Sequence, residues 1–202
     1  VFNDYSRIYV QRKDSIKTAR LYYSINSGET VIGNIHEVKK PSGNFKDKAM
    51  KLVSLFLLNS PRIIVESLVF HVTAGAEKIG YIQKDAGFYK DLNLYSVDGS
   101  LIATVKSTFK VSTPSILVVD QVGDELIKAT GGYGATDFNV LDCQTGNQIS
   151  SIQKRSLVYE SIKDNLLEHD VYHIDSSKLS SNVIFALLGA VIALELYFHG
   201  GR

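Results

Sequence analysis

The sequence closes on "SSNVIFALLGAVIALELYFHGGR", residues 180–202, and the reading of this stretch decides the fold. No residue from Val183 to Leu194 carries a charge; Glu195 interrupts, and Leu196, Tyr197 and Phe198 follow. As a helix, the run 183–198 is roughly 24 Å long at 1.5 Å per residue. A bilayer core asks for about 30 Å, and no basic cluster precedes the run. A helix apolar on every face must then be hidden on every face. The inside of a closed β-barrel is such a place. Ala186, Gly189, Ala190 and Ala193 give the helix small faces that suit a narrow tunnel of strand side chains, and Ser180, Ser181 and Asn182 are N-cap residues. By length and composition the stretch reads as a buried helix over 180–199; the alternative is a membrane anchor.

The rest of the chain supplies the barrel. Four segments share one shape, an alternating apolar stretch, a polar turn with Gly or Asn, and a second alternating stretch. They are "LYYSINSGETVIGNIHEV" (21–38), "LVFHVTAGAEKIGYIQKD" (68–85), "NLYSVDGSLIATVKSTF" (93–109) and "DFNVLDCQTGNQISSIQKR" (137–155). Period-two alternation rich in Val, Ile and Tyr predicts strands. Gly and Asn at the turns accept positive φ at low cost, so each segment predicts a β-hairpin. "RIIVES" (62–67), "SILVVDQV" (115–122), "DELIKATGGYGA" (124–135), "SLVYESIKD" (156–164) and "EHDVYHID" (168–175) are further candidate strands. Ten to twelve strands is a size at which a sheet closes or splits into layers. The expected architecture is mainly β: one domain over 1–202, a closed antiparallel barrel of about twelve strands around a central hydrophobic C-terminal helix.

One other segment breaks the alternation. "NFKDKAMKLVSLFLLNS" (44–60) lies between Pro41 and Pro61 and predicts a short extra helix. Lys39, Lys40, Lys46, Lys48 and Lys51 adjoin its apolar run from Ala49 to Leu58. Basic residues beside an apolar helix are what a peripheral membrane contact requires: ammonium groups for anionic headgroups, and Leu55, Phe56, Leu57 and Leu58 to enter the interface. The competing reading is a loop of solvated lysines and a helix plugging one barrel end.

Composition narrows the partners. The net charge of +1 argues against a general nucleic-acid binder. The lone Cys143 allows no intrachain disulfide and favours a reducing compartment, hence a cytoplasmic protein, peripheral at a membrane if it binds lipid. Residues 1–20 are polar and show no apolar core of a signal peptide.

"LYSVDGSLIATVKSTF", "DFNVLDCQTGNQISSIQKRS" and the ending "HIDSSKLSSNVIFALLGAVIALELYF", in this order, resemble the tubby C-terminal-like superfamily, in its LURP-one-related and phospholipid-scramblase-like branches. The resemblance covers most of residues 20–198. It implies a twelve-stranded barrel around a central helix, no enzymatic activity and no cofactor. It also implies phosphoinositide or other lipid-headgroup binding at membranes, an adaptor role, or, in the scramblase-like branch, anchoring through the last helix. A soluble protein-interaction domain without lipid affinity is the alternative. Asp164, Glu168, Asp170 and Asp175 do not follow a calcium-loop spacing, so the calcium dependence of scramblases is not carried over.

Catalytic constellations are missing from the sequence. "GGYG" at 131–134 is followed by a strand-like stretch, which favours a bend over a nucleotide loop. His169 and His173, four apart on a strand, are about 13 Å apart, too far for one metal ion. No serine occupies a G-x-S-x-G elbow, and Cys143 has no base at an evident spacing. The expectation is no catalytic residue and no metal site.

Overall fold

The computed structural model describes residues 2–13, 20–38, 66–108, 113–132, 134–156 and 170–199. Twelve antiparallel strands close into one barrel. They are β1 (Arg7–Arg12), β2 (Tyr22–Ser27), β3 (Thr30–Glu37), β4 (Leu68–Ala74), β5 (Glu77–Lys84), β6 (Leu92–Tyr95), β7 (Leu101–Thr108), β8 (Ser115–Asp120), β9 (Glu125–Gly131), β10 (Asp137–Asp142), β11 (Gln148–Ser156) and β12 (Asp170–Asp175). Each strand pairs with its sequence neighbour, and β1 pairs with β12 to close the ring, with Ile8 opposite Ile174 and Val10 opposite Tyr172. Closure leaves no unpaired edge.

Helix α1 (Ser181–Leu194) follows β12 and runs on into a π-helical turn, Glu195–His199. The Ser180 hydroxyl accepts from the Val183 amide, the expected cap. Every residue from Ile184 to Leu194 is buried, as are Glu195, Leu196 and Tyr197. The helix is held by inward-facing strand residues: Phe185 meets the backbone of β5 at Gly80, and Gly189 lies against Leu94 of β6 and Val105 of β7. The all-apolar sequence of α1 and the period-two strands are therefore two halves of one core, in which Ile8, Val10, Ile25, Ile35, Phe70, Leu94, Val105 and Ile152 are buried with the helix.

One expectation needs correction. The continuous helix is Ser181–His199, 19 residues, long and apolar enough to cross a membrane by length and hydropathy alone. Flanking polar residues join the helix at both ends, because Ser180 caps it and the π-helical turn extends it. Length does not separate the two readings; burial does, with 78% of the helix's apolar window enclosed by the barrel.

The two barrel ends differ. Residues 28–29, 75–76, 96–100, 121–124 and 143–147 make short hairpin turns at one end, where α1 enters. β1, β3 and β11 end at the other, where α1 also ends, and the sequence from each of them to the next strand is longer. Of the expected elements, the helix within 44–60, the strand "RIIVES" up to residue 65 and the strand "SLVYESIKD" beyond Ser156 lie outside the described residues.

Candidate functional site

Charged residues facing the lumen, Arg12, Lys84 and Glu195, lie at the long-loop end. Arg12 shares the inward phase of Ile8 and Val10, one step past the apolar part of β1. Its Nη1 lies 3.0 Å from the Glu195 carboxylate, which also accepts a 2.7 Å hydrogen bond from the Tyr172 hydroxyl. Glu195 is 3% exposed. The charge that interrupts the apolar helix is thus neutralised at the barrel mouth, and the Tyr197 hydroxyl and His199 tie the last turn to the carbonyls of Lys90 and Ala135.

Lys84 is the second inward cation at this end, and it is fully buried. Its Nζ donates to the carbonyls of Glu66, Asp85 and Gly87 at 2.7, 3.3 and 3.4 Å. Burial pulls its ammonium pKa down to about 8, against the opposing pull of the Asp85 and Glu66 carboxylates. Three carbonyls fill its donor capacity, so the amine is a strut for the 85–91 loop and no free nucleophile.

The outer wall carries a different pattern. Tyr22, His36, His71, Tyr81 and Tyr95 stand directly opposite one another across β2, β3, β4, β5 and β6. Ring centroids are 6.5 Å apart for Tyr22–His36, 5.6 Å for His36–His71 and 4.8 Å for the stacked Tyr81–Tyr95 pair. Lys78 joins the middle of this ladder, its Nζ 3.4 Å from His71 Nε2 and 5.0 Å from the Tyr81 ring centre. Burial, then Lys78, then His36 lower the His71 pKa below the usual imidazole value.

On the adjoining wall of β1, β12 and β11, Arg7, Tyr9, Ser151, Gln153, His173 and Asp175 line an open groove of about 280 Å³. His173 meets Tyr9 edge to face at 4.8 Å, and burial together with Arg155 and Arg7 lowers its pKa.

The basic and apolar residues expected to touch lipid, Lys39, Lys40, Lys46, Lys48, Lys51, Leu55, Phe56, Leu57 and Leu58, all lie outside the described residues. They belong to the connection from β3 to β4. That connection leaves the long-loop end beside His36, where the Val38 amide donates to the Val69 carbonyl. Gly131 ends β9 and β10 begins at Asp137, so "GGYG" joins two strands. Cys143 is half-buried at the β10–β11 turn, its thiol pKa raised by burial, Glu125 and Asp142, the reverse of an activated thiol. Among the described residues no three His, Cys, Asp or Glu side chains are grouped to hold a metal.

Sequence reasoning missed both the ion pair and the ladder. A charge within an apolar helix signals a partner, but nothing in the chain marks Arg12, 183 positions away. The ladder residues are each visible as outward-phase positions, yet only the pairing register aligns them. Comparison of the chain with protein-family models, with curated proteins and with solved structures gives no significant match.

Proposed function

We propose that this chain is a non-enzymatic, membrane-peripheral module that binds anionic lipid headgroups, the role expected from its resemblance to tubby C-terminal-like domains. The observation that carries the reading is the filled lumen. With α1 buried from Ile184 to Tyr197, the helix occupies the inside of the barrel, which favours meeting a ligand on the outside. The basic run from Lys39 to Lys51 and the apolar run through Leu58 belong to the connection that leaves the long-loop end. In this reading the lysines meet phosphate and carboxylate headgroups while Leu55, Phe56, Leu57 and Leu58 enter the interface. Arg12, Glu195 and Lys84, charged residues described at that end, hold structure together.

The test is charge reversal. Replacing Lys39, Lys40, Lys46, Lys48 and Lys51 by Glu is expected to abolish cosedimentation with anionic vesicles. Retained binding by a folded variant would reject the site. A wild-type chain that ignores all vesicles would favour a protein-interaction domain, and one that resists extraction by salt and carbonate would favour anchoring through α1.

A further inference from the structure

We infer that the outer ladder Tyr22–His36–His71–Tyr81–Tyr95, with Lys78, is a second membrane-docking surface that acidification switches on toward anionic bilayers. The inference rests on the peripheral lipid-binding reading above.

The switch follows from one hydrogen bond. Lys78 Nζ is 3.4 Å from His71 Nε2. An ammonium has only protons to offer, so His71 Nε2 must accept, and His71 is neutral with its proton on Nδ1. Protonating His71 removes the acceptor and puts two cations in contact. Lys78 must then swing off His71, and among the described residues its remaining contact is with the Tyr81 ring. His36 presents a second imidazole, its ring centre 5.6 Å from that of His71. The charged groups acting on His71 are Lys78 of β5 and His36 of β3, both of which oppose its protonation. The other ladder members facing it are the neutral Tyr22 of β2, Tyr81 of β5 and Tyr95 of β6. The patch therefore carries the Lys78 cation beside a neutral His71 and gains charge when His71 takes a proton, which burial, Lys78 and His36 hold to a lower pH than usual.

The geometry selects the ligand. Tyr81 and Tyr95 stack at 4.8 Å with planes 17° apart. That is the spacing of adjacent strands, so the rings stand on edge and use their faces on each other. A nucleobase needs a free ring face for stacking, and a sugar laid flat on an aromatic ring needs the same. Tyr22 is 38% exposed with its hydroxyl donating to Asn34, and Tyr81 and Tyr95 are half-buried. Tyrosines presenting an apolar body and a polar tip suit the headgroup layer. Imidazolium and ammonium groups beside them suit anionic lipid. An anionic bilayer is the occupant that uses both.

The experiment is flotation of the full chain with vesicles of phosphatidylserine and phosphatidylcholine, and of phosphatidylcholine alone, at about pH 7.5 and about pH 5.5. Affinity for the anionic vesicles is expected to rise about fivefold on acidification, with no rise for phosphatidylcholine. The His36→Gln/His71→Gln double variant should keep the neutral-pH binding and lose the rise. Lys78→Gln should keep the rise, since His71 still charges and loses the cation that opposed it, and it serves as the second variant should the double one fold poorly. An equal rise in the double variant, or no rise in the wild type, overturns the inference. Loss of neutral-pH binding in the five-lysine variant reads the first site separately.

Discussion

The Arg12 guanidinium lies 3.0 Å from the Glu195 carboxylate, joining the end of the first strand to the end of the last helix. The two partners are unequal: side-chain exposure is 30% for Arg12 and 4% for Glu195. Removing Arg12 leaves a buried carboxylate whose described partner is the Tyr172 hydroxyl. Neutralising Glu195 leaves a guanidinium that water can reach. Arg12→Ala is therefore expected to cost about 3 kcal/mol, the low end for a broken buried pair. Glu195→Gln, which keeps hydrogen-bonding capacity, should cost about 1 kcal/mol. Urea unfolding of the two variants checks the order, and a more damaging Glu195→Gln would contradict it.

Gly80 marks where α1 comes closest to the wall. A methyl group there would sit 2.5 Å from the Tyr95 carbonyl oxygen and 2.9 Å from the Phe185 ring. The carbonyl belongs to a neighbouring strand and cannot move alone. Gly80→Ala is expected to destabilise by about 1–3 kcal/mol, as overpacking does. Gly132 is exposed and has nothing within 4 Å of the same position. Gly132→Ala should be neutral or stabilising by up to about 1 kcal/mol, through the entropy of the unfolded chain. Thermal unfolding of the pair tests the placement of the helix against β5.

Lys84 links stability to alkaline pH. Its native pKa is depressed from 10.5 to about 8. Between these values the unfolded chain keeps the proton that the native chain has released, so this group makes stability rise with pH across that window. Below about pH 8 both states are protonated and its contribution is flat. Lys84→Met should remove the rise, seen as the difference between the unfolding free energies of wild type and variant. At neutral pH the variant should lose about 1–3 kcal/mol, because the carbonyls of Glu66, Asp85 and Gly87 lose their donor. A wild-type slope that persists in the variant would assign the titration elsewhere.

Much of this fold was legible because two periodicities state it openly. The hairpin centred on Gly99 and the strand ending at Asp175 follow from alternation, and α1 follows from a run with no polar face. Strand β1 went unread. "RIYVQR" is a single short alternation among polar residues, and its inward Ile8 and Val10 gain meaning only once β12 lies beside it. The barrel mouth was opaque for a related reason. Arg12 has the inward phase of its strand, but phase cannot say which charge sits at the other end of a helix. The ladder required four registers to be known together, and a β-bulge between Val72 and Thr73 displaces Lys78 relative to simple alternation. The lysines from Lys39 to Lys51 are plain in the sequence; no register or periodicity assigns their partner.

The measurement that tests the account most directly is flotation of the detergent-free chain with anionic and neutral vesicles at low and at moderate salt. A barrel that keeps α1 inside and meets lipid through surface cations should stay soluble alone. It should float with anionic vesicles at low salt and release as salt screens the charges. A chain that stays in the dense fraction with both vesicle types, or that cannot be kept in solution without detergent, would contradict it.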